Sequence, residues 1–196
     1  MSEEVAKDII FSLTGIHSSG KTTIGTLLAQ EGFSYHPEIA AMLIERGEAP
    51  WIEGSTVSTE EFQRSIMQEE LRRETAALST GVHVVETFHP GNLAHCLLIC
   101  PDADVTRHYR EHAQHVVREK RVIGIHLDID IATLLTRTQL YKGRQIDTSF
   151  YAKLGPAIQG VYQELGMTWY CINSRGTIEN TLERVRGIIQ GEVGKR

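Results

Sequence analysis

Gly15-Ile16-His17-Ser18-Ser19-Gly20-Lys21-Thr22 fits the pattern G-x-x-x-x-G-K-[ST], and the residues on both sides of it give the pattern a structural context. Upstream, Ile9-Ile10-Phe11-Ser12-Leu13 is a short apolar run that reads as a buried strand. Downstream, Ile24, Leu27 and Leu28 stand at i, i+3 and i+4, which predicts a helix with one apolar face. Gly32 closes that helix in a C′ position. A chance glycine-rich turn would explain neither flank.

Each residue of the stretch has a physical task. Gly15 lets the chain leave the strand at torsion angles costly for other residues, and Gly20 lets the backbone come close to an anion. The amides from about His17 to Lys21 are expected to point inward at a helix N-terminus, where the helix dipole favours negative charge. The predicted contact set is Gly15, His17, Ser18, Ser19, Gly20, Lys21, Thr22 and Thr23, and the expected ligand is a nucleoside triphosphate. Lys21 is placed on the β- and γ-phosphates and the Thr22 hydroxyl on Mg2+.

The rest of the composition fits an enzyme-sized domain. At 196 residues, with 41% hydrophobic and 23% charged residues, the chain suits one domain able to bury a core. A net charge of -5 counts against a nucleic-acid partner. The three cysteines Cys96, Cys100 and Cys171 form no C-x-x-C, which fits a reducing, cytoplasmic setting. Met1-Ser2-Glu3-Glu4 lacks the cationic and apolar segments of a signal peptide. No apolar run has the length of a membrane span, so no membrane partner is expected. Association into a homodimer is left open.

Short apolar runs at 9–13, 33–36, 82–86, 122–128 and 168–172 alternate with helical patterns, and there is no internal repeat or linker. That alternation predicts crossover connections and an α/β fold: a mostly parallel sheet covered on both faces, with ligands at the carboxyl ends of the strands. Ser58-Thr59-Glu60-Glu61 has capping-box spacing and opens a long helix with Phe62, Ile66, Leu71 and Leu78 on its apolar side. After Glu86, the stretch Thr87-Phe88-His89-Pro90-Gly91-Asn92 reads as a turn, with a helix from about Leu93 to Ile99. Gly124 inside a strand pattern suggests a bulge or a close backbone approach. Asp130 reads as the cap of a helix with Ile131, Leu134 and Leu135 inward. Gly155-Pro156 is expected to kink or restart the helix that runs from Phe150 to Leu165.

Glu38 and Glu86 follow the second and third predicted strands, on the same rim as the glycine-rich loop. Carboxylates there can hold Mg2+, directly or through water, and orient or deprotonate an acceptor hydroxyl. Helix capping or simple solvation is the competing reading for each. Arg137, Lys142 and Arg144 could close over a triphosphate and stabilise charge on the transferring group, with a solvated basic loop as the alternative. His108, His112 and His115 share one helix face. No cysteine or carboxylate pattern completes a zinc site there, so a solvated face is the expectation. Tyr35, Trp51, Phe88 and Tyr109 could line a pocket where a nucleobase stacks, but aromatics more often serve the core, so none is assigned to the chemistry.

In the order of these features the chain resembles the P-loop kinases of the nucleoside and nucleoside-monophosphate kinase group, thymidylate kinase-like proteins and AAA-like small-molecule kinases nearest. The resemblance spans almost the whole chain. It rests on Gly15–Thr22, Pro37-Glu38, Glu61-Phe62 through Gln68-Glu69, His126-Leu127-Asp128-Ile129-Asp130, Leu134–Arg137 and Arg144. It implies a single three-layer domain over residues 1–196, with five parallel strands in the order 2-3-1-4-5. Residues 38–80 would bind the phosphoryl acceptor, residues 137–149 would form a lid, and residues 173–176, with Arg175, would lie near adenine. Two features depart from the family pattern: Glu86-Thr87 replaces the usual Asp-Arg or Glu-Arg pair, and Tyr35-His36-Pro37-Glu38-Ile39 replaces Arg-Glu-Pro-Gly-Gly.

The leading expectation is therefore an ATP- and Mg2+-dependent phosphotransferase acting on a small acceptor, a nucleoside or nucleotide. Lys21, Glu38, Glu86, Arg137 and Arg144 are its catalytic candidates, and Thr22 with Glu86 its Mg2+ candidates. The alternative is a P-loop ATPase or nucleotide switch coupled to a partner. In that case Glu86 could serve Mg2+, but no residue that would orient water is identifiable. A polynucleotide kinase is disfavoured by the acidic charge, and a binding module without catalysis by the intact Lys21-Thr22 pair.

Overall fold

The first apolar run becomes the centre of the sheet because both of its faces are covered. In a computed structural model, which describes residues 8–78, 81–138 and 147–195, β1 (Ile9–Thr14) is buried at every position. It pairs in parallel with β3 (Val82–Glu86) on one side and with β4 (Arg121–Asp128) on the other. The edges are β2 (Ser34–His36) beside β3 and β5 (Thr168–Asn173) beside β4. The sheet is five-stranded and all-parallel, in the order β2-β3-β1-β4-β5.

The period-2 alternation of a strand sorts the core into two layers. Ile9, Phe11 and Leu13 pack with Ile24 and Leu28 of α1 (Lys21–Gln30) and with Val185 and Ile189 of α8 (Ile178–Val193). Ile10, Val85 and Val122 face the other way. They pack with the layer of α4 (Phe88–Ile99), α5 (Asp104–Glu119) and α7 (Thr148–Glu164). A smaller cluster of Ile39, Leu43, Ala49, Phe62 and Ile66 joins α2 (Ile39–Glu45) to α3 (Thr59–Ala77). The short α6 (Ile131–Thr138) follows β4.

Local signals set the helix ends. Gly32, at φ +94°, closes α1 through Gly32 N–H to Ala29 O (3.0 Å) and Phe33 N–H to Leu28 O (3.0 Å), which is a Schellman motif. Both bonds of the Ser58/Glu61 capping box are made, at 3.2 and 2.7 Å. Asp130 accepts from the Thr133 amide at 2.7 Å.

Four expectations are corrected or narrowed. α4 begins at Phe88, five residues early, because Pro90 falls in the first turn, where its missing N–H is no loss. Leu71 and Leu135 are not core, Leu135 being 42% exposed, while the buried positions of α3 include Gln63 and Glu70. α7 does not restart at Gly155-Pro156 but is one helix with Pro156 inside it. Of the two readings of Gly124 the close approach holds: it keeps register with both neighbours, without a bulge, and a Cβ there would lie 2.6 Å from the Tyr162 ring.

Candidate functional site

The loop between β1 and α1 is built to expose backbone amides. Gly15 (φ +147°) and Gly20 (φ +97°) take conformations unfavourable for other residues, and a Cβ on Gly15 would meet Leu127 O and Ser19 Oγ at 2.5 Å. Gly20 is the N-cap of α1, and no side chain caps the helix. Its first amides are therefore left for a ligand at the positive end of the helix dipole. Ser19 Oγ is buried without a hydrogen-bond partner among the described residues. Lys21 is 8% exposed and folds along the loop, donating to Gly15 O at 3.0 Å and Ile16 O at 3.3 Å.

Glu86, the last residue of β3, is 1% exposed and accepts from both sides. Thr22 Oγ1 donates to its two oxygens at 3.0 and 3.3 Å, and Tyr35 OH at 2.6 Å. Burial raises the Glu86 carboxyl above the ordinary 4.5; Lys21 opposes this, Glu38 adds to it, and the two hydroxyl donors again oppose it. Burial is the largest of these influences and prevails. The same desolvation, reinforced by the Glu86 charge, drives the Tyr35 phenol far above its ordinary 10.0, so Tyr35 stays a donor. The backbone next to Glu86 is strained, with Thr87 at φ +66° and Phe88 at φ +24°. Register explains the convergence: Glu86 pairs with Leu13, the second-last residue of β1, so β3 ends beside the start of the loop.

Glu38 sits at the N-cap of α2 but makes no side-chain cap bond, and its charge is felt by both Glu86 and Tyr35. Across the loop, Arg137 joins two segments, donating to Ser18 O at 3.0 Å and Ser174 O at 2.6 Å. Ser174 Oγ in turn donates to Ser19 O at 3.0 Å. Arg175, two residues past β5, pairs with Asp128 at 3.4 Å and Asp130 at 3.2 Å. The His17 ring stacks near Tyr151 at 6.2 Å. Thr22 and Thr23 lie on the exposed side of the first turn of α1. Lys142 and Arg144 lie outside the described residues.

Lys21, Thr22, Glu86 and Arg137 thus converge on one rim, with Glu38 within electrostatic reach. Sequence reasoning gave Tyr35 no part in the chemistry, leaving it to the core or to a base-stacking pocket, and missed its bond to Glu86. One signal for it existed. Gly25 lies within α1, and a Cβ there would stand 2.0 Å from the Tyr35 ring, so this glycine makes the room in which Tyr35 lies. Ser174 falls in the stretch 173–176 that the resemblance placed near adenine, but nothing in the sequence pointed to its bond to Ser19 O.

A family model described as AAA domain matches residues 10–180. No curated protein matches the chain. Among solved structures, deoxyadenosine kinase from M. mycoides with dCMP and dCDP bound is similar at TM-score 0.72 and 12% identity, covering 93% of this chain and 99% of that one. The YorR protein of Bacillus subtilis, in complex with phosphorylated GDP, is similar at TM-score 0.63 and 12% identity, covering 95% and 98%. Thymidylate kinase from Ehrlichia chaffeensis is similar at TM-score 0.61 and 13% identity, covering 92% and 98%. The fold is that of the P-loop nucleoside and nucleotide kinases.

Proposed function

The chain belongs to the AAA domain family, and we propose that it is an ATP- and Mg2+-dependent phosphotransferase that moves the γ-phosphoryl group to a small acceptor, a nucleoside or nucleotide. One observation carries this reading. Glu86 is buried and bonded at once to Thr22 of the phosphate loop and to Tyr35 of the strand that leads to Glu38, so donor and acceptor sides meet at one carboxylate. The nucleoside and nucleotide kinases of the same fold support the choice of acceptor class.

In this reading the triphosphate lies on the uncapped amides of α1, and Lys21 exchanges its loop carbonyls for phosphate oxygens. Thr22 and Glu86 are the residues that would hold Mg2+, an oxygen donor pair suited to it, and the ion when bound neutralises charge on the β- and γ-phosphates. Glu38 orients an acceptor hydroxyl and takes its proton. The hydroxyl oxygen forms a bond to the γ-phosphorus as the bond from that phosphorus to the β–γ bridging oxygen breaks, releasing ADP. With a monophosphate acceptor the attacking oxygen carries no proton, and Glu38 only positions it. Arg137 steadies the loop through Ser18, and with Arg144 in a lid over residues 137–149 it would face the transferring group.

The test is product formation from Mg-ATP across a panel of nucleosides, nucleoside monophosphates and small hydroxylated metabolites, with Lys21→Ala as control. An acceptor that raises turnover about tenfold, roughly 1.4 kcal/mol of barrier, names the substrate. ADP release that no acceptor accelerates, yet that Lys21→Ala abolishes, would instead identify a partner-coupled ATPase.

A further inference from the structure

A second cluster of chemistry-bearing side chains shares no residue with the phosphate-loop site. Glu74 from α3, His89 from the first turn of α4 and His112 from α5 bring one ligand atom each within 4.8 Å of the others. Glu74 Oε2 lies 3.1 Å from His89 Nε2 and 2.8 Å from His112 Nε2, and the two rings meet edge to face at 4.4 Å. The geometry points to a binding site for a first-row divalent cation of the zinc class, held by these three side chains and tying α3, α4 and α5 together.

Three physical features support the assignment. Four ligands around zinc at about 2.0–2.1 Å stand roughly 3.3 Å from one another, so each of the two Glu74–histidine pairs, at 3.1 and 2.8 Å, needs to open by only a few tenths of an ångström to admit the ion. Two imidazoles and one carboxylate are a borderline donor set, which suits zinc better than Mg2+ or Ca2+. The side chains of His112 and Glu74 are 21% and 15% exposed, while that of His89 is fully buried, so the site has an open side and a fixed floor. Glu70 adds negative potential at His89.

Binding conserves protons when both rings start neutral. Each Nε2 lone pair goes to the ion and the ring proton moves to Nδ1; the ion adds two positive charges to the single negative charge of Glu74. His89 Nδ1 is buried and has no partner among the described residues. The outer-shell bond that usually supports a histidine ligand is therefore missing there, which places the affinity about 10- to 100-fold below that of a fully supported site.

The sequence spacing of His108, His112 and His115 suggested a solvated histidine face. In the fold, His112 instead turns toward Glu74 and His89, residues of two other helices.

The experiment is titration of the full chain with Zn2+ and, separately, Co2+, in buffer with excess Mg2+ to occupy oxygen-only sites. Binding is followed by calorimetry, by the Co2+ visible spectrum and by thermal midpoint. One equivalent should bind, with a tetrahedral-type Co2+ band and a midpoint gain of about 5–10 °C at a free ion concentration roughly 100-fold above Kd. His112→Ala should lose at least tenfold in affinity. His112→Gln, which keeps a side-chain N–H for Glu74, should lose as much, whereas a merely structural hydrogen bond would be restored by it. The proposal is overturned if Zn2+ binds neither calorimetrically nor spectroscopically. It is equally overturned if His112→Gln binds like the wild type, or if His108→Ala is the variant that loses the ion.

Discussion

Tyr35 and Glu86 form the bond on which the proposed chemistry depends most closely. A hydrogen bond to a charged group contributes about 1.5–3 kcal/mol. Tyr35→Phe removes a 2.6 Å donor from a buried carboxylate and is expected to lower kcat about tenfold or more. The same hydroxyl holds the Glu86 pKa down against burial, so its loss should shift the acid limb of the pH–rate profile upward. A kcat and profile matching the wild type would remove the Tyr35–Glu86 bond from the mechanism. Glu86 also makes a stability prediction. Its carboxyl is raised above 4.5, so the folded state binds that proton more tightly than the unfolded chain does. The contribution to stability is therefore largest at low pH and falls as pH rises through the raised value. Glu86→Gln cannot ionise, and its Tm relative to wild type should increase as pH is raised from the ordinary carboxylate value of 4.5 through the raised one. A difference that does not change with pH would mean that burial does not raise this pKa.

Among the elements, α1 is the one whose sequence serves two ends at once. Its N-terminus is left uncapped and faces the loop, while its body carries a glycine where helix propensity alone would favour alanine. Gly25→Ala gains up to about 1 kcal/mol of propensity, but it sets a Cβ 2.0 Å from the Tyr35 ring. Overpacking of this kind costs about 1–3 kcal/mol and should prevail. Lower Tm and lower activity are expected together, measured by thermal melt and turnover. The double variant Gly25→Ala/Tyr35→Ala should recover part of the lost stability, since the two side chains compete for one space. Additive losses would contradict that coupling.

For the whole molecule, the parallel order brings loops from both halves of the sheet to one rim. Arg137 bridges Ser18 and Ser174 there, and Thr22 bridges to Glu86. A ligand seated on that rim stabilises the entire fold by mass action, about 2.7 kcal/mol at 100 times Kd. Mg-ATP should thus raise Tm by about 5–10 °C for a chain of this size. Lys21→Ala should abolish the shift while melting cooperatively without ligand. A shift that survives Lys21→Ala would place the nucleotide elsewhere.

The features legible in the residues alone are those written in short-range pattern. The eight residues Gly15–Thr22, the alternation of apolar runs with helical periodicity, and the Ser58/Glu61 and Asp130 caps are local features, each satisfied within a few residues. From them came the phosphate loop, the parallel α/β class and the rim on which to look, and the resemblance added the strand order. Which side chains meet was set by the packing of the folded chain. Tyr35 reaches Glu86 across 51 residues, His112 reaches Glu74 across 38, and Arg137 reaches Ser18 across 119. No local periodicity encodes such pairs. They depend on strand register, on the rotation of each helix about its axis, and on the space left by residues such as Gly25. Those are properties of the packed core rather than of any one stretch of chain.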